Sequence, residues 1–235
     1  MDTQTRHALK TDSFAQAAAS SVSWVTGHRS GVVRWVIGVL VAVVVVGGGL
    51  TYWNIRSAAA NTALGAALDT YVSPLAIPGA PAEKGVYNTA SERSKAANQQ
   101  FLAVIKDFGW LPEASKAHYF AGVTYQELGQ TASAETELKA ASGAWDREVA
   151  NLAKLALAGV YHQTARDPQA IDLYNALVAK PSETVPASVA QLDLANLYVA
   201  AGKQDQARAL WAKVKDSDKD GAAGSIAAQK LAAKQ

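Results

Sequence analysis

Two hydrophobic patterns divide this chain. From Trp35 to Trp53 it reads WVIGVLVAVVVVGGGLTYW, without one charged residue. Nineteen residues of helix rise about 28 Å, close to the ~30 Å hydrocarbon core of a bilayer. Val41–Val46 followed by Gly47-Gly48-Gly49 gives a surface that is apolar all round, whereas a core helix of a soluble protein usually keeps a polar side. Beyond this run, apolar positions recur every three or four residues to the end of the chain, which predicts a series of amphipathic helices. The fold class expected is all-α: a single N-terminal transmembrane helix, then a solenoid of antiparallel helix pairs.

The flanks of the run fit a membrane span. Arg29 and Arg34 precede it, Arg56 follows it, and Trp35, Tyr52 and Trp53 stand where interfacial aromatic belts stand. The run is longer and begins later than the apolar core of a secretory signal, although Ala58-Ala59-Ala60 imitates a cleavage site. The excess of positive charge before the run predicts a cytoplasmic N-terminus and an external C-terminal domain; Arg56 opposes this bias. Residues 57–235 carry 17 basic and 18 acidic side chains, which argues against a nucleic-acid footprint. Cysteine is absent, which removes disulfides, thiolate metal sites and a cysteine nucleophile.

Residues 1–30 form a polar tail in which Phe14, Ala18, Val22 and Val25 recur at helical spacing, so it reads either as a short interfacial helix or as a disordered segment. Residues 54–71 keep a helical pattern through Ile55, Ala59, Ala63, Ala66 and Tyr71, which predicts that the span runs on as a nearly continuous helix. Ser73-Pro74, Pro78-Gly79 and Pro81 then mark a connection to about residue 89. Ser91 and Ser94 offer a cap for a helix running through Ala97, Phe101 and Val104 to Asp107–Phe108. The expected organisation is a cytoplasmic tail (1–30), a transmembrane helix (31–53), a helical extension with a Pro-rich loop (54–90) and a repeat domain with a capping helix (91–235).

The repeats become visible when three segments are aligned on a small residue followed three positions later by Tyr. Gly122, Tyr125, Gly129, Ala134, Leu138 and Ala141 match Ala158, Tyr161, Ala165, Ala170, Tyr174 and Leu177. Both match Ala195, Tyr198, Gly202, Ala207, Trp211 and Val214, at steps of 36 and 37 residues. This pattern resembles the tetratricopeptide repeat (TPR), with two antiparallel helices per unit and small residues where they cross. The resemblance implies that Gly122, Ala158 and Ala195 let the first helix approach the second. Tyr125, Tyr161 and Tyr198 fill the gap below, and Ala134, Ala170 and Ala207 form the small contact on the second helix. The steps exceed the usual length, and the Pro residues near the unit ends, Pro112, Pro181 and Pro186, stand out of strict phase.

In such arrays the first helices line a partner-binding groove. The same phasing assigns to it Lys116, Tyr119, Val123, Gln126 and Glu127; Leu152, Leu155, His162 and Gln163; and Val189, Leu192 and Asn196. This surface is more apolar than charged and suits a peptide segment. Alternatively, Leu152, Leu155, Val189 and Leu192 are covered by a neighbouring helix, for which residues 54–71 are a candidate.

Catalytic and metal chemistry find little support. Asp216-x-Asp218-x-Asp220-Gly221 opens like a calcium loop, but the closing acidic position is Ala227, so a polar turn with Asp218 or Asp220 capping the last helix is the better reading. His7, His28, His118 and His162 include no i, i+4 pair. Neither a nucleophile elbow nor a phosphate loop occurs. No cofactor, no metal, no catalytic residue and no enzymatic activity are expected. A short N-in anchor followed by an Ala-rich helix and repeats resembles the bacterial ancillary subunit of the SecYEG translocon. That resemblance implies a single-pass inner-membrane protein whose periplasmic domain binds other proteins: translocon subunits, chaperones or exported clients. An adaptor in envelope assembly, division or secretion-system biogenesis, and a self-assembling membrane protein, are the other expectations.

Overall fold

The computed structural model describes residues 29–77 and 85–233. The reading of the tail falls on residues 1–28, outside the described residues, as does the middle of the Pro-rich connection. The described residues form nine α-helices: α1 (Arg29–Tyr71), α2 (Ala90–Phe108), α3 (Pro112–Glu127), α4 (Thr131–Ser142), α5 (Arg147–Gln163), α6 (Asp167–Ala179), α7 (Ala187–Ala200), α8 (Gln204–Ser217) and α9 (Ala222–Ala232). No strand forms among them; one isolated bridge joins Leu75 to Tyr87 across the connection that follows α1. The chain divides into two units, residues 1–55 and 56–235, and the division falls inside α1.

In the first unit, α1 is bare. Its apolar side chains from Val33 to Ile55, among them Val36, Leu40, Val44 and Leu50, are exposed. It is the one helix among the described residues long and apolar enough to cross a membrane. Leaving such side chains in water forgoes about 1.5–3 kcal/mol each. Thr51 turns its hydroxyl back onto the Gly47 carbonyl at 2.9 Å, which satisfies that hydroxyl without solvent.

In the second unit, each helix packs on its neighbours in the sequence, and α3 also meets α5, as α7 meets α9. The α3–α4, α5–α6 and α7–α8 connections are each three residues, too short for anything but antiparallel hairpins. All three turns share one geometry. Gly129, Ala165 and Gly202 have φ of 70°, 57° and 72°. The next residue then donates its N–H back into the preceding helix: Gln130 to Tyr125, Arg166 to Tyr161 and Lys203 to Tyr198, each at 2.8 Å. This closes the carbonyl end of each helix by the left-handed cap that glycine favours; Ala165 does so against the Cβ penalty. The extra length of the 37-residue step lies between pairs, in residues 180–186.

Packing follows the same period. Ala134, Ala170 and Ala207 are fully buried, and Leu138, Tyr174 and Trp211 one turn later are buried beside them. At Gly122 a Cβ would come within 2.6 Å of Leu138 Cγ and 3.3 Å of the Ala134 carbonyl, so this crossing is closer than Ala permits. Residues 56–71 of α1 complete the row at its N-terminal end. Ala60, Leu64 and Ala67 bury against Ala97, Phe101, Val104 and Phe108 of α2. The α2 cap differs from expectation. Thr89 Oγ1 accepts from Glu92 N at 3.1 Å, and the Glu92 carboxylate returns to Asn88 N at 3.2 Å. Ser94 is buried instead and donates to the Glu127 carboxylate.

Candidate interaction surface

Three helices carry the residues assigned to a groove. On α3, Lys116 is exposed, and Tyr119, Val123 and Gln126 are half-buried. Burial pushes the Tyr119 phenol up. On α5, Leu152 and Leu155 are half-buried and Gln163 is exposed; on α7, Val189 and Leu192 are half-buried and Asn196 is exposed. The leucines spend their covered side on the joints between pairs: Leu152 and Leu155 pack against Leu177, Val185 and Ala190, and Leu192 packs toward Ala195, Ala207 and Trp211. The helix of residues 54–71 packs at the other end, on α2 and α3.

Two of the assigned polar residues have partners that hold them. Glu127 accepts from Tyr71 Oη at 2.8 Å and from Ser94 Oγ. His162 Nδ1 lies 2.7 Å from Asp167 Oδ1, joining the end of α5 to the start of α6. Glu127 has a counterpart at the other end of α3. Glu113, 8 % exposed, accepts from Ser57 Oγ at 2.7 Å and Asn61 Nδ2 at 2.8 Å through Oε1. Its Oε2 is buried without a hydrogen-bond partner. Ser57 with Glu113 and Tyr71 with Glu127 are each 56 residues apart. Residues 57–71 therefore run parallel to α3 in constant register, with α2 beside both. The extension is the first helix of a pair whose second member is α2, and Asn98 of α2 ties that pair to α3 through the Ala121 carbonyl and Thr124 Oγ1.

The remaining charged contacts lock the array. Arg166, stacked over Tyr161 at 4.5 Å, forks onto both Glu135 oxygens at 3.0 and 2.5 Å, and Lys139 adds a contact at 2.6 Å. Hydrogen bonds from Arg166 and Lys139 hold the Glu135 carboxyl down to about 2. Glu148, at the start of α5, accepts from Thr184 N and Oγ1, and these bonds hold its carboxyl down to about 2. Arg147 donates to the Pro181 carbonyl, so the long connection 180–186 is pinned to α5 from both residues.

Asp218 takes the capping part that the polar-turn reading gave to Asp218 or Asp220. Asp218 Oδ2 accepts from Gly224 N at 3.1 Å and thereby caps α9. A Cβ at Gly224 would meet the Asp218 carbonyl oxygen at 1.9 Å, so the turn needs glycine there. No group of three or more His, Cys, Asp or Glu residues with metal-binding geometry occurs among the described residues.

Sequence reasoning missed one surface. Trp110 is 52 % exposed in the α2–α3 turn and Trp145 is 100 % exposed in the α4–α5 connection. They stand 35 residues apart, close to the repeat step, and that spacing was the available signal. A large aromatic side chain wholly in water, as Trp145 is, calls for an outside contact. No protein-family model matches this chain, and no curated protein is detectably similar to it.

Proposed function

We propose that this protein is a membrane-anchored, non-enzymatic scaffold, in which a TPR-like array binds other proteins beside the bilayer. The observation that carries the reading is the pairing of a bare apolar helix with an array of helix pairs that repeat one turn geometry three times. An array of this kind offers a row of similar surfaces, and the tether multiplies their effectiveness by concentrating partners at the membrane. The charge bias around the span supports a cytoplasmic N-terminus, hence an array on the outer face of a bacterial inner membrane. The resemblance to the ancillary translocon subunit makes the translocon, its clients and periplasmic chaperones the first partners to test.

A photo-crosslinking residue at exposed Lys116 or Asn196, in native membranes, tests this. Covalent products containing translocon subunits are the expected result; products containing division or envelope-assembly proteins would redirect the function, and a C-terminal reporter active only in the cytoplasm would overturn the topology. One observation favours a second reading, self-association of the span. A Cβ on Gly47, Gly48 or Gly49 would meet nothing within 4 Å, so packing inside the described residues does not explain these glycines, and small residues let spans approach one another closely. Native mass spectrometry in detergent separates the two: a strict monomer removes the second reading.

A further inference from the structure

We propose that copies of this chain associate head to tail, with Trp145 of one copy entering a furrow between residues 56–71 and α2 of the next. This rests on the reading of α1 as an anchor, and it concerns the array, not the glycines of the span.

Both halves of the contact are present on one chain, and both lie in the second unit. Trp145 is 100 % exposed in the α4–α5 connection. Tryptophan is highly buried on average, so a ring wholly in water is a large apolar surface without a site in its own copy. The furrow has a volume of about 340 Å³, room for one large aromatic side chain. Exposed Ala66 and Ala103 flank it from its two helices, and buried Val104 and Phe108 line it too. Asp107 adds an exposed carboxylate at the same place. An indole N–H is a donor only, and that carboxylate is an acceptor only.

Trp145 does not reach the furrow of its own copy. On the helix of residues 56–71, Ala63 and Ala66 lie about half a turn round from Ser57 and Asn61, which bond to Glu113 of α3. On α2, Ala103 and Asp107 lie about half a turn round from Asn98, which bonds to the Ala121 carbonyl and Thr124 of α3. The furrow therefore opens on the face of the first pair turned away from α3. The helices that hold Trp145, α4 and α5, pack on α3, so α3 stands between the ring and the furrow. A knob on one surface and a hole on another make a heterologous contact, which joins copies in a row or a ring.

Other exposed apolar side chains of the unit fit less well. Val72, Leu75 and Ile77 adjoin residues 78–84, outside the described part. Trp110 already has a contact. Ile226 is 45 % exposed on α9, a helix surface and not a projecting connection. One side chain in one furrow is far smaller than the interface of a stable dimer. The contact is weak between free copies and gains from the anchor, which holds all copies at one surface and raises their effective concentration.

The full-length chain, reconstituted in phosphatidylcholine vesicles as a mixture of ordinary and heavy-isotope copies, tests this. Trp145→benzoylphenylalanine keeps a large aromatic ring at the connection and makes it photoreactive. The expected products join position 145 of one isotope to residues 63–70 or 100–108 of the other, as a ladder of oligomers. Ala66→Leu fills the furrow from an exposed position and should lower the yield about tenfold, as overpacking does in other sites, without shifting thermal unfolding. Copies carrying both changes should still react with Trp145→Ser copies, whose furrow is open, and stop at the dimer. Products confined to one isotope, mapped elsewhere or indifferent to Ala66→Leu overturn the proposal. So does an Ala66→Leu variant that unfolds earlier while position 145 yields no product, because a segment of the same chain then fills the furrow. Flotation of the same vesicles separates the two readings: a chain that floats without product removes the contact alone, and a chain that fails to float removes the anchor and the contact with it.

Discussion

One helix, α1, is used in two ways. From Val33 to Ile55 its valines and leucines are exposed, and a polar atom within it is satisfied by the helix's own backbone. From Arg56 to Tyr71 the same backbone turns Ala60, Leu64 and Ala67 into a packed core, flanked by Ser57, Asn61 and Tyr71 bonding to two glutamates of α3. The difference lies in side-chain size and pattern. Large branched residues on every side suit an apolar solvent, since nothing among the described residues covers them. Apolar residues spaced at four and three, small at Ala60 and Ala67, let another helix approach, and the polar residues between them find fixed partners. Helix formation alone therefore says nothing about environment; the distribution of side chains around the axis decides it.

The sharpest way to break this comparison is to charge the bare half. Val41→Arg with Val44→Arg should cost about 5–7 kcal/mol of insertion, at ~2.5–3.5 kcal/mol per Arg near the bilayer centre. Vesicle flotation should lose the protein while thermal unfolding of the array, followed by circular dichroism, stays unchanged; a joint loss would mean the halves are not independent. Next, Leu64→Ala should destabilise the array by about 2–5 kcal/mol in the same melt, because it opens a cavity in a packed site. Val44→Ala, equally mild on paper, should shift nothing. A smaller gain is expected at Ala165. Its φ of 57° is one that L side chains rarely adopt, so Ala165→Gly should raise stability by about 0.5–1 kcal/mol in chemical denaturation. Smallest of all is the response to acid. Glu135 and Glu148 titrate near 2 when folded, against 4.5 for the free side chain. Their contribution is complete above pH 4.5 and is lost as pH falls through 2. The melting temperature should drop over that window in the parent and less in Glu135→Gln with Glu148→Gln, whereas vesicle association should not follow pH.

The period of the array was legible because it is steric. A small residue, a tyrosine three later and an alanine nine after that must recur wherever two helices cross at the same distance, and Gly122, Tyr125 and Ala134 state that crossing in letters. The apolar run was legible for a similar reason: nineteen uncharged residues leave few alternatives. What stayed hidden depends on contacts between distant segments. Residues 56–71 read as a continuation of the span, because 18 residues separate them from their partner α2 and that connection interrupts the period. Glu127 falls in phase with groove positions, and only the arrival of Tyr71 and Ser94 shows that it is held from inside the array. Ser94 looks like a cap from its neighbours, yet Thr89, with Glu92 three residues on, satisfies the helix end first. Trp145 carried a spacing signal but no pattern that distinguishes an exposed aromatic from a buried one.

The register between α1 and α3 also sets a clock. Ser57 and Tyr71 wait for Glu113 and Glu127, each 56 residues further along the chain. At 5–20 residues per second, synthesis takes roughly 3 to 11 s to deliver each partner. The Ala60–Leu64–Ala67 face finds α2 earlier, since Ala97–Phe108 precede both glutamates, but its polar flanks stay unpaired until α3 is made. The newborn chain thus passes through a stage in which its first array helix is made but only partly paired, directly behind a segment that is itself apolar, and that interval is when a chaperone would have its hold on the molecule.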